Sequence, residues 1–222
     1  HVGESVDAEI EGWDLMDYGS LAVAPRVSVT KQFTEEWSAR FKLRAVMGFE
    51  DDDAEVDESD GEADFSALDL GGSGGYTFKI NEQLAVTPVF GFTWRSYEME
   101  GEPDGGGGTS ELKASLLVLD FGATMAFQIN DQVAITGKLM FGLPLAGDAE
   151  LHVPGPDFDA DIDGGFIFEI GGAVEYRLND TVALVGGLAY ESASYDWEWD
   201  GNNDGEDELD RFVITLGASF SF

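Results

Sequence analysis

Cysteine is absent from these 222 residues, which excludes a disulfide framework and a thiol nucleophile. Histidine is confined to His1 and His152, so imidazole catalysis has little to draw on. Basic residues are few: 11 Lys and Arg stand against 45 Asp and Glu, for a formal charge of −34. So small a basic complement cannot neutralise many phosphates, which excludes a nucleic-acid partner. Long apolar runs are missing as well. None approaches the roughly 18 residues that a membrane-crossing helix needs. Proline is sparse and glycine plentiful, 6 against 29, a balance that suits closely packed, twisted strands. His1 is not a methionine, and removal of a secretory signal would account for that.

What the chain does have is alternation. In the stretch from Arg211 to Phe222, residues Phe212, Ile214, Leu216, Ala218, Phe220 and Phe222 share one strand face. Arg211, Val213, Thr215, Gly217, Ser219 and Ser221 share the other, because successive strand residues point to opposite sides. The apolar face runs to the final aromatic. That terminus resembles the closing strand of bacterial outer-membrane β-barrels. In that family a terminal Phe with apolar residues at every second position serves the assembly machinery. The chain is similar to small OmpA-like and opacity-type barrels. The resemblance implies an antiparallel up-and-down transmembrane β-barrel whose outer face meets lipid.

The rest of the chain fits one such all-β domain over 1–222. Four short polar segments punctuate it: Gln32–Trp37, Lys79–Leu84, Gln128–Val133 and Arg177–Val182, recurring about every 47 to 49 residues. Most are built on Asn-Glu or Asn-Asp, which tolerate the backbone of tight hairpins. Between them lie long stretches rich in Asp, Glu and Gly. Short turns at one end and long acidic loops at the other predict periplasmic turns and termini, with extracellular loops. Each repeat holds two long strands rather than four short ones, which excludes a propeller. The strands read as roughly 5–14, 20–33, 37–50, 65–80, 83–98, 112–129, 132–146, 164–178, 182–197 and 209–222. The first is the weakest, so about ten strands are expected, with eight as the alternative. A sandwich of two sheets would explain alternation too, but it would have to bury large outward residues on every strand.

Strand parity sorts the charges. Arg26, Arg40, Lys42, Arg44, Lys79, Arg95, Lys138, Arg177 and Arg211 fall opposite the apolar face. A mid-membrane Arg or Lys facing lipid would cost about 2–4 kcal/mol, so this face is read as the lumen. Asp69, Asp120, Glu169, Glu175 and Glu191 share it, as do Asp7, Glu9, Glu11 and Glu50. A small barrel has little internal space, and each buried charge needs a partner. An ion-paired network that fills the lumen is therefore expected. A narrow water-lined path along the Arg40, Lys42, Arg44 ladder is the other possibility.

The surplus acid collects elsewhere. The segment 51–64 is the densest, and Glu98 to Glu111 surround a Gly-rich stretch. Two places match the D-x-[DN]-x-[DN]-G spacing of calcium loops: Asp159, Asp161 and Asp163 before Gly164, and Asp200, Asn202 and Asp204 before Gly205. That spacing can set three oxygen ligands on one side of a tight turn. Neither reaches Glu at the twelfth position, although Glu206 could add a ligand to the second. Ca²⁺ in the acidic loops and a plain solvated acidic surface both fit. His152, within Glu150–Gly155 with acids nearby, is a weak catalytic signal, and no serine sits in a nucleophile elbow, so no enzyme is expected. Two functions remain. One is a surface-interaction barrel contacting lipid, lipopolysaccharide or another surface protein through cation-binding loops. The other is a narrow, cation-preferring porin-like channel.

Overall fold

The computed structural model describes the backbone of residues 2–10, 13–23, 25–48, 51–56, 59–103, 108–153, 157–179, 182–199 and 203–220. It describes the side chains of 25–47, 64–101, 108–153, 157–179, 182–198 and 209–219. In chain order the strands are β1 (Val2–Ile10), β2 (Trp13–Val23), β3 (Arg26–Gln32), β4 (Trp37–Gly48), β5 (Asp51–Val56) and β6 (Ser59–Tyr76). They continue with β7 (Phe78–Lys79), β8 (Leu84–Pro103), β9 (Ser110–Gln128), β10 (Val133–His152), β11 (Asp157–Arg177), β12 (Val182–Trp199) and β13 (Asn203–Phe220). The pairs β2 and β3, β4 and β5, and β6 and β7 are successive pieces of single strands, so ten antiparallel strands form the wall.

The wall closes on itself in the half away from the tight turns. Val6 of β1 pairs with Tyr18 of β2 on one side and with Leu209 of β13 on the other. Below that ladder, among the described residues, β3 is paired only with β4, and β13 beyond Val213 is paired only with β12.

The four expected tight turns are present, and one device shapes them all. The Asn81 side-chain oxygen accepts from the Gln83 and Leu84 amides, both at 2.8 Å. Asn130 does the same for Gln132 and Val133 at 2.9 Å, and Asn179 for Val182 at 2.9 Å. In the first turn Thr34 takes the role, with its hydroxyl accepting from Trp37 at 3.0 Å. A side chain that bonds its own turn fixes the reversal without a longer loop.

The strands run further than expected at the opposite end. The segment 51–64 is not a loop: β5 and the start of β6 pair there, Ala54 against Gly61. Residues 98–103 and 110–111 pair as strands too, Glu98 against Lys113. Acid and glycine content suggested loops, but here much of both segments is paired strand.

Polarity therefore inverts along β8 to β12, whose side chains are described over both halves. In the half nearer the termini the outward residues are apolar: Phe41, Phe90, Phe92, Ile170, Leu188 and Ile214 are all exposed. In the far half the outward residues are acidic, among them Glu100, Asp148, Asp161 and Glu198. There the inward residues are the apolar ones, with Met99, Leu116 and Trp197 no more than 1% exposed. A band of exposed apolar side chains beneath an acidic collar is what a wall crossing from lipid into water requires. Register shifts occur near the crossover, between Pro144 and Ala146 of β10 and between Ile162 and Gly164 of β11. Such bulges realign inward and outward parity. Beside the second, Gly165 has φ of 132°, and a Cβ there would come within 3.0 Å of the Tyr195 backbone.

Candidate functional site: the interior of the barrel

The interior has three levels. At the middle, Arg44 (β4), Asp69 (β6), Arg95 (β8), Glu191 (β12) and Arg211 (β13) converge from five strands, and all five are buried. Arg44 Nε donates to Asp69 Oδ2 at 2.7 Å, and its Nη1 to Glu191 Oε2 at 3.3 Å. Arg95 Nη2 lies 2.9 Å from Glu191 Oε1, and Arg211 bonds the same carboxylate. Arg95 Nη1 also donates to the Tyr195 hydroxyl at 2.8 Å. The Arg95 Nε to Asp69 Oδ1 distance is 3.2 Å, but the two atoms are not aligned for a hydrogen bond. Glu191 is the hub, since it touches three guanidinium groups.

Above this layer, toward the far end, the lumen is packed with apolar side chains. Val46, Phe65, Tyr97, Leu112, Leu151 and Leu209 belong to one buried cluster with Met99, Leu116, Tyr195 and Trp197. Tyr97 stacks between Phe65 and Tyr195, with ring centroids 6.4 and 6.1 Å apart. Burial is worth roughly 1.5–3 kcal/mol for each large apolar side chain, so this level is a core in its own right. The expected lumen was charged throughout; the charge fills only part of it. The signal was in the sequence. Tyr195-Asp-Trp197-Glu and Leu112-Lys-Ala-Ser-Leu116 alternate with the apolar residues on the lumen parity.

Below the ionic layer, toward the termini, the walls carry small side chains. Lys42 pairs with Asp120 at 3.3 Å, and Thr93 also donates to Asp120. Lys138 pairs with Glu169. Gly71 and Gly171 leave the space these lysine stems occupy: a Cβ would meet Lys42 Cγ, or Lys138 Cε, at 3.0 Å.

The remaining charges assigned to the lumen are not in the network. Lys79 is exposed at the terminal rim, where it pairs with Glu35 at 2.8 Å. Arg177 is exposed there too, 3.5 Å from the Asp131 carbonyl. Both have the inward parity, but they sit where the strand meets its turn. Glu175 is half-buried in β11 without entering the network, Arg40 is exposed in the lower lumen, and Arg26 is exposed on β3 level with Arg44. The side chains of Asp7, Glu9, Glu11 and Glu50 lie outside the described residues.

The first calcium-type motif does not form a turn. Asp159, Asp161 and Asp163 lie within β11 and are exposed. Alternating carboxylates on a strand share a face about 6–7 Å apart, which is too open for one ion. Asp200 and Asn202 lie outside the described residues. Asp204 and Glu206 fall in β13, with side chains outside them. Among the described residues no three His, Asp or Glu groups converge to hold a metal.

At the far rim His152 Nδ1 meets Asp157 at 2.9 Å, with Glu150 3.7 Å from Nε2. The Asp157 hydrogen bond raises the imidazole pKa above its usual 6.5, and the charges of Asp157, Glu111 and Glu150 add to that.

Comparisons agree with this architecture. Residues 19–222 match the family model for the outer membrane protein beta-barrel domain. No curated protein matches the chain. The outer membrane protease OmpT from Escherichia coli is similar in fold, with a TM-score of 0.72 at 9% identity, over 100% of this chain and 93% of that one. The translocator domain of the autotransporter NalP from Neisseria meningitidis gives 0.51 at 9% identity, over 100% and 86%. Identities this low concern the fold alone.

Two outcomes follow from the geometry. Glu191→Ala leaves three buried guanidinium groups short of a partner and should cost about 3–5 kcal/mol, read by urea unfolding in lipid vesicles. A loss under about 0.5 kcal/mol, the range of an ordinary surface change, would remove Glu191 as the hub. His152 should titrate above 6.5 by NMR, and Asp157→Asn should bring it back down. Because the folded value is raised, the stability this pair contributes is complete below the unfolded pKa and fades as pH rises through the folded one.

Proposed function

We infer a surface-interaction role from this premise: the chain belongs to the outer membrane protein beta-barrel domain family, and so is a β-barrel of the bacterial outer membrane. In this reading the termini and short turns face the periplasm and the acidic collar stands outside the cell. The lumen does not conduct. The collar works as an anionic surface that divalent cations such as Ca²⁺ join to lipopolysaccharide phosphates or to another acidic surface protein.

The observation that carries this reading is the inverted polarity of the strands. The far half of the barrel spends its apolar residues on an internal plug and turns its carboxylates outward. Those carboxylates stand opposite one another across the sheet: Asp148 against Asp161, Asp161 against Glu198, and Glu150 against Asp159. Like charges on directly paired positions destabilise a sheet, and cations screen that repulsion. With no converging cage among the described residues, the ions would bridge the collar to a second anionic surface.

The role is read as non-enzymatic. His152 and Asp157 form a half-exposed rim pair, and nothing beyond fold similarity links the chain to the protease it resembles. The cation-preferring channel is the competing reading. It requires an open path through the ionic layer and the apolar plug, and their packing weighs against it.

Two measurements separate these readings. In a planar bilayer the wild-type barrel should give no steady single-channel openings; regular openings would replace the plugged barrel with a channel. Millimolar Ca²⁺ should raise the thermal midpoint and promote adhesion to vesicles carrying lipopolysaccharide. Removing the paired carboxylates with Asp148→Asn, Asp159→Asn and Asp161→Asn together should weaken that response severalfold. An unchanged response, or none in the wild type, would eliminate the cation role.

A further inference from the structure

The chain is strongly acidic, yet its lower lumen is not. Arg40, Lys42 and Arg44 stand at alternate positions on the inner face of β4, with Arg26 of β3 paired in register beside Arg44. Arg40 is nearest the terminal mouth, and Arg26 stands level with the buried ionic layer. Arg44 is matched by Asp69 and Glu191, and Lys42 by Asp120. Arg40 and Arg26 have no such match among the described residues. Arg40 Nε donates to the neutral Thr30 hydroxyl at 3.0 Å. No described carboxylate lies within ion-pair distance of Arg40 or Arg26. Of the described acids that face the lower lumen from other strands, Asp120 and Glu169 are engaged by Lys42 and Lys138, and Glu175 stands six residues beyond Glu169 on β11, nearer the terminal rim. Arg26 is near enough to act electrostatically on both Arg40 and Lys138, so the positive fields overlap.

The setting makes this more than a surface patch. Arg26 and Arg40 are exposed, whereas Arg44, paired with Arg26 and four residues above Arg40 on β4, is sealed off at 8% exposure. The space is thus a cup closed above by the ionic layer and open both at the terminal mouth and along the seam between β3 and the end of β13. Its wall is hydroxylated, with Thr30 bonded to Arg40 and with Ser38 and Thr87 on the inner face beside Gly75. A guanidinium presents a planar fork that fits two oxygens of a carboxylate or phosphate.

We propose that the terminal half of the lumen is an oxyanion-binding cup, in which Arg26 and Arg40 hold a phosphate-type group and Lys42 and Lys138 supply the surrounding positive field. The ligand is an anion bearing a tetrahedral phosphate, either free or as the headgroup of an anionic lipid entering from the leaflet beside the mouth. This site lies at the opposite end of the barrel from the acidic collar and does not depend on the collar's role.

Titrating inorganic phosphate into the purified barrel in an uncharged detergent tests it by calorimetry and by 31P NMR line broadening. The wild type should bind in the millimolar range. Arg40→Gln should weaken binding at least tenfold, as should Arg26→Gln. Arg40→Lys should retain part of it, and Lys113→Gln at the far rim should leave it unchanged. Heat-modifiable migration on a gel confirms that each variant has folded. A second arm places the barrel in nanodiscs with or without phosphatidylglycerol and repeats the phosphate titration. Competition there, lost in Arg40→Gln, identifies the lipid headgroup as ligand; binding indifferent to the lipid identifies free phosphate. No binding at tens of millimolar phosphate together with no lipid competition overturns the proposal. Binding that survives unchanged in a folded Arg26→Gln, Arg40→Gln double variant also overturns it.

Discussion

A peptide group inside hydrocarbon has no water to bond, so every strand in a membrane wall needs a partner on both edges. That constraint shapes the architecture here. Each short turn returns the chain to its neighbour, and β1 joins β13 to close the ring from the ionic layer upward, while lower down β3 and the end of β13 have one partner each among the described residues. Once the ring is closed, each residue has only two choices, outward or inward, and parity decides between them. Everything else in the molecule is a consequence of what lies on either side of the wall at a given height.

Two solvents meet the outer face, and the strands record where one replaces the other. Next to Phe90, Phe92 and Ile170 the outside is apolar; next to Glu100, Asp161 and Glu198 it is aqueous. The inside answers in kind. Where the outside is lipid, the lumen can hold charge, because the wall already has its apolar face. Where the outside is water, the barrel needs an apolar core as a soluble domain does, and Met99, Leu116 and Trp197 provide it. The ionic layer of Arg44, Asp69, Arg95, Glu191 and Arg211 lies between the two regimes. Its charges are sealed from above by the plug, so each depends on its partners rather than on solvent.

This division also explains what the sequence disclosed and what it hid. The four turns were legible because Asn81, Asn130 and Asn179 bond their own backbone, a local property of a local motif. The lipid-facing parity was legible because Arg and Lys avoid it. The far halves of the strands were hidden because composition overrode period: a run such as Asp157-Phe-Asp-Ala-Asp-Ile-Asp163 looks like an acidic loop by content and a strand by alternation. The same confusion produced the calcium-type motif, since D-x-D-x-D places three carboxylates on one side of a strand as readily as around a turn. The identity of the ionic partners was hidden for a different reason. Glu191 meets Arg44 and Arg95 across the lumen, and no sequence spacing encodes the width of a barrel.

The distribution of charge follows from the same wall. A formal charge of −34 could not be carried inside a narrow, low-dielectric lumen, because unpaired carboxylates there would be protonated or expelled. The acids therefore gather on the aqueous collar, where water and ions screen them. The scarce bases have a different preference. Long arginine and lysine stems can lie along glycine-lined walls, as Lys42 does over Gly71, and hold their charge in the lumen rather than in lipid. The interior is thus left richer in positive charge than the chain as a whole, and the contrast with the acidic collar is set by the wall rather than by the overall composition.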